Sequence, residues 1–585
     1  MRILLLSRET WYGRVFAPAP LLLFFLIFTG FLSTAPFAQV HAQDQPFLCN
    51  SPYMHGCSAS LDQHASPSYR LTSTLLVHAA GKSLPFWFTS QRGGLVPLDA
   101  QSGVIFLQEW SDESVWQRPG WNLSAEASLF ARVSGMARVS GMARVSDVTS
   151  ASGTAKSTSP QAAAPYSSRN TSASIRTLAV HLTAWNFARL SIGRYDETIG
   201  IGAPYLTTGQ MMMSHNARPA WKLSFENPDF FAIPGTRGFL NFKARWSESF
   251  LFDKRFVDQP KIHQKYLYIN LKPVPELSLM GGIIHNVMWG GNHPELGSLN
   301  TMQGYLDSVL GFSEANEATP PGNGIAAYDF GPEYHSKRWS AGAMRLFFLE
   351  DLVSTRFRSP WDGMWSGWFH WKDQTNTPWL DYIIYEHINT KKQDARSIDA
   401  LGAARYYTHD IWRGGWTHDG HLLGNPLLTL DPDRIPEIAR PVTNGILVAH
   451  HVGLMGNVSE GVRWQMMMTY SRNYGVCEDQ FAEVEFCNSK DGSNLRERAY
   501  YVPLRELRKD RYSLFGGVML DSGTLFEERV DERSGGDWKG KGDGKGGGKG
   551  AQPVQVQFHI FTGVDWGAFY DEARFGVEFG LTIRY

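Results

Sequence analysis

The last eleven residues carry the strongest pattern in the chain. Phe575, Val577, Phe579, Leu581, Ile583 and Tyr585 alternate with Gly576, Glu578, Gly580, Thr582 and Arg584. A period of two is a β-strand with one apolar and one polar face. Its length matches the roughly 9–11 residues that a tilted strand needs to cross a bilayer. An aromatic residue ends the chain, as in the terminal strands that the outer-membrane barrel-assembly machinery recognises during insertion. The same alternation recurs upstream, in Leu240–Ser247, Leu267–Lys272, Val462–Tyr470, Arg511–Leu520 and Val554–Ile560. Less regular versions lie near Leu84–Ser90, Gly103–Trp110, Leu178–Gly193, Trp221–Glu226, Glu276–His285, Ser340–Phe348, Trp365–Trp371 and Trp379–His387. Any one of them also fits a soluble sandwich with a wet outer face. Together they number roughly 16–18, and their spread over the chain favours a transmembrane antiparallel β-barrel, an all-β fold with long loops.

Three stretches break the period. Residues 131–146 repeat Ala-Arg-Val-Ser-Gly-Met twice and begin it a third time, and a Ser/Thr/Ala-rich tract follows to about Ala173. Such a tract cannot build a core, so 131–173 reads as a low-complexity loop insertion. Residues 535–550 form a second one, a glycine-rich tether with Lys539, Lys541, Lys545 and Lys549 against Asp537 and Asp543. Its bland reading is a flexible surface loop, and its sharper one contact with acidic polysaccharide. Met302, Leu306, Val309 and Leu310 have helical spacing, which predicts a short helix within a loop.

The N-terminus fixes the compartment. Arg2, Arg8 and Arg14 precede a short apolar run, Leu21 to Leu32, and Val40-His41-Ala42 offers small residues for a signal peptidase. The expected organisation is a signal peptide at 1–42, an N-terminal periplasmic segment at 43–80 and the barrel at 81–585. Four cysteines suit an oxidising compartment, with Cys49 near Cys57 and Cys477 near Cys487. Three pairings are possible, local ones being the simplest, and neither spacing resembles a zinc knuckle.

Composition narrows the partners. The 55 basic residues nearly balance 56 acidic ones, for a formal charge of -1. Removing three arginines and Glu9 with the signal peptide gives -1 − 2 = -3. That leaves no global attraction for nucleic acid. Only 19% of residues are charged and 57 are glycine, a balance unlike the roughly 25% charge of soluble domains.

No nucleophile elbow or phosphate-binding glycine loop is present, so no catalytic residue and no cofactor or metal site is assigned. His450 and His451 are adjacent and on a strand would face opposite sides. A segment of another kind, Tyr406 to Leu427, concentrates Trp, Tyr, His, Asp, Arg and Gly without alternation. Aromatic faces pack on the apolar face of a pyranose while charged and amide groups hydrogen-bond its hydroxyls. Trp412, Arg413, Trp416, His418, Asp419 and His421 are therefore candidate glycan contacts; the bland alternative is an interfacial aromatic girdle with its turn.

At these residues the chain resembles a family, the Wzi capsule-assembly proteins of the bacterial outer membrane. The resemblance rests on the order of several blocks. They are Leu190–Arg194, Met211–Pro219, Gly281–Gly291, Tyr385–His387 with Thr390–Gln393, Gly415–Leu427 and Ser471–Gly475. It runs from about Leu84 to Tyr585, and Pro85–Leu98 is similar to the version in Bacteroidetes-type relatives. The resemblance implies a barrel of about 18 strands that attaches or organises capsular or other surface polysaccharide, with no turnover. The expected partners are that polysaccharide and outer-membrane lipid. A porin-like channel for small solutes is the rival reading, and a barrel-embedded enzyme is third.

Overall fold

A computed structural model describes residues 69–136, 171–197, 199–310, 322–350, 360–372, 378–391, 406–409, 411–431, 441–475, 508–524 and 554–585. The expected signal peptide, most of the two low-complexity tracts and all four cysteines lie outside the described residues.

Eighteen strands follow one another around a closed antiparallel barrel. The first nine are β1 (Tyr69–Ala80), β2 (Ala100–Arg118), β3 (Trp121–Met136), β4 (Thr171–Ala184), β5 (Ala188–Arg194), β6 (Trp221–Glu226), β7 (Leu240–Phe250), β8 (Lys261–Val274) and β9 (Leu277–Trp289). Then come β10 (Asn323–His335), β11 (Trp339–Leu349), β12 (Gly363–Trp371), β13 (Tyr382–Asn389), β14 (Leu447–Ser459), β15 (Val462–Asn473), β16 (Lys509–Thr524), β17 (Gln555–Trp566) and β18 (Arg574–Arg584). Each pairs with the next, and β18 closes on β1, with Leu75 opposite Leu581 and Val77 opposite Phe579. Closure leaves no sheet edge in the hydrocarbon, the condition for a strand-built membrane protein.

The alternation is used as expected. On β18, Phe575 and Phe579 face outward and are exposed, while Glu578 and Thr582 face the lumen and are buried. Outward aromatic side chains gather at both rims. From β13 to β17, Tyr385, His450, Tyr470, Tyr512 and Trp566 stack strand to strand, with ring centroids 4.9–6.4 Å apart. At the opposite rim Tyr334 meets Trp339 at 5.1 Å and Trp379 meets Trp464 at 4.8 Å. Two aromatic belts flanking an apolar band are the outer surface of a transmembrane barrel.

The two ends differ. Connections after β2, β4, β8 and β14 are short turns, such as Pro119-Gly120. Most of those after odd-numbered strands are longer, as is 525–554 after β16, and three of the odd-strand connections bring buried segments into the lumen: 81–99, 195–220 and 406–431. The start of β1, the end of β18 and the short turns share one rim.

Several expectations change. Tyr69–Ala80, placed in the N-terminal periplasmic segment, is the first barrel strand, so the barrel begins before residue 81. Leu84–Ser90 is no strand: Phe86–Thr89 forms a one-turn helix, α1, and its apolar side chains are buried in the lumen. Leu178–Gly193 is two strands, joined where Trp185 and Asn186 adopt φ of 48° and 54°. The ends of the 131–173 tract belong to β3 and β4. The helix foreseen at Met302 is present as α2, Met302–Leu310.

Candidate functional site

The long-loop half of the lumen is filled by segments that lock onto each other and onto the wall. The 81–99 segment enters first. Asp565 Oδ2 of β17 accepts the α1 backbone hydrogen bond from Phe86 N at 2.7 Å. Trp87 Nε1 donates to Thr469 Oγ1 of β15 at 3.2 Å, and Phe88 packs edge-on to Phe515 at 5.2 Å. The wall is thinned to receive α1. A Cβ on Gly576 would lie 2.7 Å from Pro85 Cδ, and one on Gly563 would lie 2.7 Å from Phe88 Cε2. Farther along, the Arg92 guanidinium holds Glu578 of β18 through two bonds of 2.8 and 3.0 Å. Both side chains are almost fully enclosed, and His559 Nε2 lies 3.3 Å from the same carboxylate. Burying charge is tolerable only in such paired geometry.

The 195–220 segment crosses next. Asp329 of β10 accepts Ile201 N at 2.5 Å and the Tyr268 hydroxyl at 2.9 Å. Glu386 of β13 accepts Thr207 Oγ1 at 2.5 Å and Thr208 N at 2.6 Å. His451 on β14 meets the Leu206 carbonyl at 2.7 Å. Between segments, Gly93 N and Gly94 N donate to the His215 and Asn216 carbonyls at 2.6 and 3.0 Å. Gly94 has φ of 65°, and a Cβ there would meet Arg218 N at 2.9 Å, so only glycine fits.

The 406–431 segment, which carries all six candidate glycan contacts, closes the stack. Ser214 N donates to the Leu423 carbonyl at 2.8 Å, and Asn425 Nδ2 to the Gly209 carbonyl at 2.6 Å. Thr417–His418 and His421–Leu422 form a two-residue ribbon. Asp419 and Gly420 turn it with φ of 48° and 79°, the geometry an Asp-Gly hairpin turn supplies. Trp412, Trp416, His418 and His421 are buried; Arg413 and Asp419 are partly exposed.

Partners follow from these positions. Trp412 Nε1 donates to the Gly290 carbonyl at 3.1 Å. His421 lies between the Val96 and Asp419 carbonyls, at 3.0 and 3.2 Å. Burial holds its imidazole down at about 4, outweighing those two acceptors. His418 sits 3.2 Å from Asp253, which also binds Arg255 at 2.8 Å. Burial alone would raise the Asp253 carboxyl, but Arg255 and His418 prevail and hold it below its usual range. Asp419 pairs with Arg194 at 3.2 Å and Arg218 at 3.5 Å. Against the same burial, His418 and these arginines hold it low too. The Arg413 guanidinium lies over the Phe256 ring at 4.4 Å.

The structure thus brings the six together on one segment, but turns four of them inward as part of the plug. Sequence reasoning missed their charged partners, Asp253, Arg255 and Arg194, because nothing in sequence spacing joins loops that meet only in the lumen. It also missed exposed rim aromatics, Phe252 and Trp361. Among the described residues no group of three His, Cys, Asp or Glu side chains is placed to hold a metal.

Comparison with solved structures finds several matches. An Escherichia coli protein described as Wzi, an outer membrane protein involved in group 1 capsule assembly and a carbohydrate-binding β-barrel, matches with a TM-score of 0.46 and 14% identity. That match covers 88% of this chain and 84% of the other. The Pseudomonas aeruginosa proteins OccK5 and OpdK match with TM-scores of 0.37 and 0.38, each at 8% identity over 88% of this chain, and 96% and 98% of theirs. No curated protein matches the chain. The family model of the capsule assembly protein Wzi matches residues 117–429, more than half of the 585 residues. The chain is a member of the Wzi family of capsule assembly proteins, an outer-membrane β-barrel.

Proposed function

We propose that this barrel retains capsular or surface polysaccharide by binding it at the long-loop rim, without turnover. The observation that carries the reading is the plug: interlocked segments occupy the lumen and contact the wall from β3 to β18, for example Arg132 to the Leu95 carbonyl and Arg92 to Glu578. A lumen filled this way suits a holding device better than a solute channel. In bacterial barrels long loops face outward and short turns face the periplasm, so the plugged rim is the extracellular one.

The direct contacts in this reading are the side chains that the rim leaves accessible. Phe252 and Trp361 supply apolar faces, and Arg413, over the partly buried Phe256, supplies hydrogen-bond donors. Trp416, His418 and His421 act indirectly, by holding the segment that presents Arg413. Deleting the gene is expected to release polymer into the medium with synthesis intact, and Arg413→Ala combined with Phe252→Ala to reproduce that release. Normal surface retention in the deletion strain would sink the reading. The rival channel reading is tested by planar-bilayer conductance.

A further inference from the structure

On the outside of the barrel, near the long-loop rim, lies a group of side chains that lipid does not suit. His263 and Lys265 of β8 alternate with the lumen-side Ile262, Gln264 and Tyr266, so they point outward. Their cross-strand neighbours are Glu248 and Trp246 on β7 and Val287 and His285 on β9. Charged groups on a barrel's lipid face are costly unless covered or paired.

Helix α2 is the cover. Thr301 caps it, with Gly304 N donating to Thr301 Oγ1 at 3.0 Å. Tyr305 packs on Trp289 at 5.0 Å and edge-on to His263 at 6.3 Å. Lys265 Nζ donates to the Val309 carbonyl near the helix C-terminus. His263 Nδ1 lies 2.6 Å from Glu248 Oε1, and Ser308 and Val309 are buried. The underside is thus polar and closed off by the helix, with Glu248 Oε2, His263 Nε2 and Trp289 Nε1 buried beneath it. The opposite face is not: Met302 is 73% exposed and Leu306, one turn on, 42%. Lys261, over the Trp289 ring at 4.6 Å and bound to Asn300 at 2.8 Å, flanks it.

We infer that α2 is a membrane-interface segment: Met302 and Leu306 seat among lipid headgroups and upper acyl chains, while Glu248, His263 and Lys265 clasp its underside to the barrel's outer wall. Lipid is the occupant because this stripe continues the lipid-facing surface of the barrel, beside Lys261, which suits anionic headgroups. The clasp reaches the plug, since Gly290, next to Trp289, accepts the Trp412 indole. Lipid contact at α2 therefore bears on the loop that carries Arg413.

The test places an environment-sensitive fluorophore at Met302→Cys, in a chain whose four native cysteines are serine, reconstituted in phosphatidylcholine vesicles with doxyl-labelled lipid. Glu295→Cys, in the exposed loop before the helix, is the reference. Position 302 is expected to emit to the blue of 295, to be quenched by doxyl lipid, and to show several-fold weaker iodide quenching. Equal iodide quenching at both positions would overturn the assignment. Protection from both quenchers would also overturn it, by showing a protein surface over the stripe. If the serine background does not fold, a photoreactive phenylalanine at 302 in the native chain replaces it. Lipid adducts are expected; no adduct, or protein adducts alone, would overturn the inference.

Discussion

Replacing Arg92 by methionine tests the plug where it is most tightly held. The change leaves the Glu578 carboxylate enclosed in the lumen, with His559 Nε2 at 3.3 Å as its remaining polar neighbour. Stranding one partner of a buried, doubly hydrogen-bonded pair costs about 3–5 kcal/mol. At about 1.4 kcal/mol per decade, that raises the population with the 81–99 segment released by roughly two to four decades. The barrel's own ladder does not involve Arg92, so heat-modifiable mobility is expected to persist. Planar-bilayer recordings are expected to show openings rare in the parent chain, and cells to admit large antibiotics that the parent excludes. Adding Glu578→Met removes the stranded charge and is expected to restore closure in large part. Identical conductance in parent and Arg92→Met, or a double variant as leaky as the single one, would refute the claim that this pair fastens the plug.

Other expectations follow from the same packing. Gly576→Leu drives side-chain atoms into Pro85 and Phe88 and is expected to destabilise α1 docking by about 1–3 kcal/mol, read from near-UV circular dichroism. Trp416→Ala removes a fully buried indole and is expected to cost about 3–5 kcal/mol, whereas Arg413→Ala, which removes a partly exposed guanidinium over Phe256, is expected to cost no more than about 1 kcal/mol. The His421 imidazole is neutral when folded and ordinary when unfolded, so only the unfolded form gains a proton between pH 6.5 and about 4. Stability is therefore present above pH 6.5 and lost as pH falls, by about 2 kcal/mol at pH 5. His421→Gln is expected to flatten that slope in unfolding measured between pH 5 and 7.

The fold was legible wherever one strand face met lipid and the other the lumen. Phe575 to Tyr585 and Val462 to Tyr470 read directly, because period two reports a two-sided environment. It failed at Leu84–Ser90, where a run of buried apolar residues fills a lumen, an environment that looks the same from every side. It blurred at Leu178–Gly193, because the Trp185-Asn186 turn carries no glycine or proline signal. The site was half legible. Aromatic and polar density singled out 406–427, but composition cannot tell a ring that meets solvent from one that packs inward, as Trp412 and Trp416 do. Asp419-Gly420 carried a turn signal that fits its hairpin better than a sugar contact. The pairs that fasten the plug, Arg92 with Glu578 and Thr208 with Glu386, lie 486 and 178 positions apart and leave no local trace.

Purified protein in detergent, incubated with capsular polysaccharide from its own strain, tests the proposed holding of polymer at the plugged rim without cleavage, by co-sedimentation followed by sizing of the recovered polymer. The expected result is binding that saturates, that falls several-fold in Arg413→Ala/Phe252→Ala, and that returns polymer of unchanged length. Polymer that stays in the supernatant, or comes back shortened, would contradict it.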